Sequence, residues 1–153
     1  MHRKGVKQNM LKKVDHIGIV VRDLESTLSM YKNLYGLEPS KIEVMEELHL
    51  AIAFIPLGEV LIELLVPTEI GVGRIGQFLK EKGEGFDHIA YEVENIDTLV
   101  ENLKQADIGM RDQKPRKGAG GSKIAFIDPA FTYNVLTELV EKKREPEENN
   151  DEH

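Results

Sequence analysis

The sequence predicts an α+β fold of two tandem β-α-β-β-β modules, and three internal repeats carry that expectation. "DHIGIVVRDL" from Asp15 recurs as "DHIAYEVENI" from Asp87, 72 positions later, and "IAFI" at 52–55 recurs at 124–127 with the same offset. "VLIELL" at 60–65 is answered by "VLTELV" at 135–140 with an offset of 75, so the second copy carries three extra residues, in the turn "DPAFTYN" that replaces "PLGE". Self-similarity on this scale outranks any local motif, because each copy must be one structural unit. The expected organisation is a flexible tail at 1–13, a single domain at 14–140, and a charged disordered tail at 141–153. Within the domain, modules 14–67 and 86–140 are joined by a helix at about 72–83.

The first element, Val14–Val21, is a short run rich in Val and Ile, which suits a strand buried on both faces. Leu24, Leu28, Tyr31, Leu34 and Tyr35 then recur at intervals of three and four, the spacing of an amphipathic helix, with Asp23 placed to cap it. Three strands follow at roughly 39–47, 49–56 and 59–66, with Gly58 in the last turn. Ile75, Phe78 and Leu79 mark the connecting helix, which Gly83 should stop. The second copy repeats the series: a strand at Phe86–Val93, a helix capped by Asn95 with Ile96, Leu99 and Val100 on its apolar face and an end at Ala106, then further strands.

Composition narrows the class. A chain of 153 residues buries roughly two-thirds of the surface its unfolded form exposes, so it needs no staple to fold, and it contains no cysteine to make one. No apolar run approaches the ~20 residues of a membrane helix. The start, "MHRKGVKQNMLKK", is basic but lacks the apolar core of a signal peptide, and we read the protein as cytoplasmic. A net charge of −7 argues against a nucleic-acid partner, which needs a concentrated basic face.

Strand parity says where the reactive side chains point. With Ile17, Ile19 and Val21 against the helix, His16, Gly18 and Val20 take the other face; in the second copy His88 and Ala90 do the same. In both copies the residue two beyond the histidine is small, leaving room above the sheet. On the last strand of each module Glu63 and Glu138 are flanked on their own face by apolar residues. A lone strand histidine is an ordinary core residue and a lone strand glutamate ordinarily faces water. Here, however, a buried carboxylate among leucines costs several kcal/mol unless a cation or proton compensates it, and the repeat supplies one His and one Glu from equivalent places. If the two sheets face one cleft, His16, Glu63, His88 and Glu138 converge as ligands of one divalent ion: cobalt, nickel, manganese, iron or zinc. The fold expected is therefore two modules whose sheets form a metal-binding cleft.

These residues resemble the vicinal-oxygen-chelate superfamily, whose paired β-α-β-β-β modules hold a metal between His and Glu ligands. Within it the chain resembles the methylmalonyl-CoA epimerase family, most specifically over "GRIGQFLKEKGEGFDHIAYEVENI". The resemblance spans roughly Val14–Val140 and places His16, Glu63, His88 and Glu138 at the family's metal positions, the second being glutamine in some members. It implies an enzyme that interconverts (2R)- and (2S)-methylmalonyl-CoA by moving the α-proton, an acyl-CoA substrate, a divalent metal and a homodimer. Two acid/base groups are then required, one for each face of the α-carbon. Glu138 takes one role; for the other, the family glutamate aligns with apolar Ile52, and Glu47 is preferred over His49 as the nearby candidate.

The chain departs from the family at several places. Asp87 stands where a second histidine is frequent, Gly120 where a loop histidine is, and Asp128 and Ala130 where His-Pro-Lys is. The loop "PRKGAGGSK" offers Arg116, Lys117 and Lys123 to a carboxylate or to CoA phosphates, or is simply a glycine-rich hairpin. Two other activities share the fold: a glyoxalase I-like lactoylglutathione lyase with the same four ligands, and a metal-free small-ligand-binding protein, against which the retention of all four argues.

Overall fold

The computed structural model describes residues 9–144; the tails expected at 1–13 and 141–153, with their histidines His2 and His153, fall mostly outside that range. The strands are β1 (Lys13–Val20), β2 (Lys41–Met45), β3 (Leu50–Leu57), β4 (Val60–Pro67), β5 (Gly85–Glu92), β6 (Arg116–Lys117), β7 (Lys123–Ile127) and β8 (Thr137–Glu141). The helices are α1 (Leu24–Met30), α2 (Gly73–Lys82) and α3 (Ile96–Gln105). Among the described residues no helix is long and apolar enough to cross a membrane.

The two modules do not oppose each other as separate sheets. They join edge to edge into one curled eight-stranded sheet, ordered β2-β3-β4-β1-β5-β8-β7-β6. The seam is the antiparallel pair of the two repeated strands, β1 and β5, and each then pairs in parallel with the last strand of its own module, β4 or β8. The halves are therefore related by a pseudo-twofold axis through the seam, which turns equivalent positions toward one point.

Alternation along the strands separates the two faces. Ile17, Ile19, Ile55, Ile62 and Leu64 pack with Leu24 and Leu28 of α1, while Ala125, Ile127 and Leu139 pack with Leu99 and Val100 of α3. Those faces form the outer side of the sheet. On the inner side Leu50, Ile52, Phe54 and Leu65 pack beneath Ile75 and Leu79 of α2, and Ala90, Ile124, Phe126 and Val140 form the corresponding patch of the second module.

Several local expectations are modified. Asn95 accepts from the Thr98 backbone N–H as a cap should, but Asp23 occupies the cap position of α1 without a side-chain cap bond. After Met30 the helix widens into a π-turn over Tyr31–Tyr35, which rotates the following residues off the apolar stripe. Leu34 and Tyr35 consequently sit in solvent, although their spacing places them on the buried face of a regular helix. In the second module the strand equivalent to β2 shrinks to Arg116–Lys117. Gly83 does end α2, at φ 81°.

Both seam strands carry a bulge, and the bulges occupy equivalent places. Pairing runs Val14↔Tyr91 then His16↔Ala90, which leaves Asp15 extra; on the other strand it runs Gly18↔His88 then Ile19↔Phe86, which leaves Asp87 extra. An extra residue breaks the alternation locally, so the aspartate and the histidine after it can turn to the same side.

Candidate metal centre

The register writes the site as two rows across the sheet. One row reads Phe54, Glu63, Gly18, His88 over β3, β4, β1 and β5; the other reads His16, Ala90, Glu138, Phe126 over β1, β5, β8 and β7. Each row places a small residue between a glutamate and a histidine. The small residue is a steric requirement at Gly18, where any Cβ would overlap the His88 ring. Gly18 φ is not in the left-handed region, so the constraint is space and not backbone conformation.

All four donors expected from the sequence are buried, with relative exposures of 3–5%. The His16 and His88 rings meet edge to face, with Nε2 to Nε2 at 2.9 Å, and Glu138 Oε2 lies 3.0 Å from His88 Nε2 and 3.5 Å from His16 Nε2. Glu63 joins from the other side of the His16 ring, its Oε2 2.9 Å from Nδ1. Donor atoms of His16, His88 and Glu138 lie within 4.8 Å of one another, as do those of Asp15, His16 and Glu63. An ion at ~2.1 Å from each ligand needs neighbouring donors roughly 3–4 Å apart, a spacing met by His16 Nε2, His88 Nε2 and Glu138 Oε2, whereas Glu63 meets the His16 ring at its other nitrogen.

Two further carboxylates complete the cluster, and the sequence reading did not include them. Asp15 Oδ2 accepts from His16 Nδ1 at 2.7 Å, and Asp87 Oδ2 accepts from His88 Nδ1 at 2.7 Å. Strand parity alone puts each aspartate on the far face, and the paired bulges bring it round. The available signal was that "DHI" opens both copies.

Charge explains why so polar a cluster survives burial. Asp15, Glu63, Asp87 and Glu138 bring four carboxylates; Arg74 makes a bidentate pair with Asp87 at 2.8 and 2.9 Å, and Lys142 Nζ lies 3.0 Å from Asp15 Oδ1. That lysine approaches off the line of a hydrogen bond, leaving Asp15 Oδ1 without one. With neutral imidazoles two negative charges remain unbalanced, which is the charge of one divalent ion. Without an ion, ring protons take its place. Burial by itself would depress both imidazoles, but carboxylate hydrogen bonds outweigh it: those from Asp15, Glu138 and Glu63 push His16 up to about 12, and those from Asp87 and Glu138 raise His88. Burial would likewise raise Glu138 and Asp87, yet the rings hold Glu138 down to about 2, and His88 with Arg74 holds Asp87 at about 2.

Above the donors lies a cavity of about 480 Å³. Its first-module wall is apolar, with Leu50, Ile52, Phe54 and Leu65, and its mouth carries Lys41, Glu47, His49, Arg116 and Lys143. Ile52 thus faces the cavity, so no carboxylate projects from that point of β3. Glu47 is on an exposed helical turn, Glu46–Leu48, at the rim and not on a strand. Of the basic residues in the glycine loop, Arg116 lines the cavity, whereas Lys123 pairs with Asp97 outside it.

Comparison with known proteins gives a consistent set of relatives. The profile described as "Glyoxalase/Bleomycin resistance protein/Dioxygenase superfamily" matches residues 15–126. The uncharacterized protein YqjC of Bacillus subtilis is 37% identical over 87% of this chain and 94% of its own. The mitochondrial methylmalonyl-CoA epimerase of Homo sapiens is 33% identical over 84% of this chain and 73% of its own. Among solved structures, a methylmalonyl-CoA epimerase in complex with methylmalonyl-CoA and NH4+ is similar with a TM-score of 0.81 and 33% identity, covering 86% of this chain and 95% of that one.

Proposed function

The chain belongs to the glyoxalase/bleomycin resistance protein/dioxygenase superfamily and is epimerase-like within it, and from that premise we propose that it interconverts (2R)- and (2S)-methylmalonyl-CoA at a divalent metal centre. The observation that carries the reading is the convergence of His16, His88 and Glu138 beneath one cavity, with Glu63 against the other nitrogen of the His16 ring. His16, Glu63, His88 and Glu138 would hold the metal. When bound, it supplies positive charge to the thioester oxygen as the α-proton leaves.

The protein's own groups do the rest. Glu138 receives the α-proton on one face. Its low proton affinity without the ion stems from hydrogen bonds donated by the two rings. Epimerisation requires a proton delivered from the other face, and we assign that step to Glu47, the carboxylate that the first module offers at the cavity rim. The apolar wall of Leu50, Ile52 and Leu65 excludes water from beside the reacting carbon and limits loss of the intermediate charge to solvent. Arg116, Lys41 and Lys143 at the mouth suit the anionic end of an acyl-CoA. A homodimer is part of the same proposal, read by light scattering.

The deciding experiment is deuterium incorporation at the α-carbon of (2R)- and (2S)-methylmalonyl-CoA in deuterated water, with chelated and with cobalt-loaded protein. Metal-dependent exchange with interconversion supports the reading. Absence of exchange in loaded protein, together with turnover of a glutathione hemithioacetal, would replace it with the lyase.

A further inference from the structure

Each donor ring is held from behind by a carboxylate, and each carboxylate by a cation from a different element. On the second-module side the chain runs Arg74 of α2, Asp87 of the β5 bulge, then His88. Both Arg74 nitrogens bond the Asp87 carboxylate, at 2.8 and 2.9 Å, and Asp87 Oδ2 accepts from His88 Nδ1 at 2.7 Å. The Asp87 side chain is 1% exposed, and the arginine lies over the Phe126 ring, 5.3 Å from its centroid, while that ring also meets His88 edge to face. Occupation of Nδ1 leaves only Nε2 to face Glu138 and His16.

The counterpart on the first-module side is looser. His16 Nδ1 is shared between Asp15 and Glu63, and Lys142 meets Asp15 as a point charge without alignment. The planar arginine fork fixes a carboxylate in two directions; an ammonium fixes it in one.

We propose that Asp87 and Arg74 are positioning residues for His88: Asp87 keeps the proton on Nδ1 and presents Nε2 to the centre of the cleft, and Arg74 holds that carboxylate in the plane of the ring. What Nε2 is presented to rests on the metal reading above; the Nδ1–H bond does not. Because Arg74 is the second residue of α2, the arrangement also ties the helix that roofs the cavity to one of the donor rings.

The test uses full-length protein labelled with ¹⁵N-histidine, with zinc as the diamagnetic probe. Wild type should show a downfield, slowly exchanging His88 Nδ1 proton both with and without zinc. In Asp87→Ala that proton should broaden into solvent exchange and zinc affinity should fall ~10–100-fold, the usual cost of removing a carboxylate behind a ligating imidazole. Arg74→Gln should lose less, and Arg74→Lys should recover part of it. If Asp87→Ala fails to fold, the half-exposed Arg74 variants carry the measurement. A His88 Nδ1 proton that stays sharp in Asp87→Ala, or wild-type zinc affinity in both Asp87→Ala and Arg74→Gln, would overturn the proposal. Wild-type protein that binds no zinc yet keeps the protected proton would remove the metal reading and leave the positioning in place.

Discussion

Gly18 lies directly opposite His88 across the seam between the modules, in the only kind of space that lets the imidazole fold over the neighbouring strand. Gly18→Ala should therefore displace the ring, not strain the backbone. Zinc or cobalt affinity is expected to fall at least tenfold, with a stability loss of ~1–3 kcal/mol from overpacking. Calorimetric titration with thermal unfolding checks both, and unchanged affinity would mean that His88 is not held by this gap.

Glu138 is asked both to hold the metal and to move a proton. Glu138→Gln keeps an oxygen donor and removes the basicity, so metal should remain measurable while epimerisation drops ~10²-fold or more. Glu63→Gln should be much milder, because glutamine keeps an oxygen donor at a position to which no proton transfer is assigned. An equally severe Glu63→Gln defect would show that ligand charge, and not proton transfer, is the requirement.

The buried charge balance sets how metal and protons compete. His16 is pushed up to about 12 and His88 is raised by the surrounding carboxylates, so near neutral pH an incoming ion must displace ring protons. Binding should reach about one divalent ion per chain, release up to roughly two protons, and strengthen as pH rises. Titration in buffers of different ionisation enthalpy measures the release; pH-independent affinity would place the ion elsewhere.

Acid stability has an opposite sign. Asp87 and Glu138 sit at about 2 in the fold against 3.8 and 4.5 as free groups, so their contribution is complete above pH 4.5 and lost as pH falls through 2. Asp87 alone accounts for at most roughly 2–3 kcal/mol. His16, raised from 6.5 to about 12, stabilises fully below 6.5 and progressively less above it. Metal-free protein should thus be most stable between about pH 4.5 and 6.5, and Asp87→Asn should flatten the acid limb of its melting curve. An unaltered acid limb would contradict the Arg74–Asp87–His88 coupling.

Glu47→Gln tests the second proton route. Metal binding should be untouched, because Glu47 sits at the rim, while epimerisation falls about 10²-fold. Full turnover would return Glu47 to the role of a solvated rim residue and leave the second proton to another donor.

The repeat made the modules and the cluster of His16, Glu63, His88 and Glu138 readable, because offsets of 72 and 75 residues fix which His and Glu are equivalent and parity fixes their face. Parity failed where the backbone departs from regularity. Nothing in "VDHIG" announces an unpaired residue, so parity does not bring Asp15 and Asp87, or the cations Lys142 and Arg74 that pair with them, to the side of the histidines. The same cause displaced Leu34 and Tyr35: a π-turn adds one residue to the helical period, and the pattern of apolar spacing cannot register it. Edge-to-edge joining of the modules was also beyond the local pattern, since the outward edge of β1 pairs with a strand 72 residues away.

A site divided by a dyad would treat the two sides of a small substrate as mirror-placed equals, each met by the same groups in the same order. Covalent linkage of the halves removes that obligation, because a substitution in one need not appear in the other. Arg74 illustrates it: the residue belongs to the connector α2, which no isolated half would possess, and it stiffens one ring while the other relies on a lysine at the far end of β8. The seam thus supplies handedness, so that a substrate's two faces meet different rigidity and different partners from a framework that is nearly symmetric.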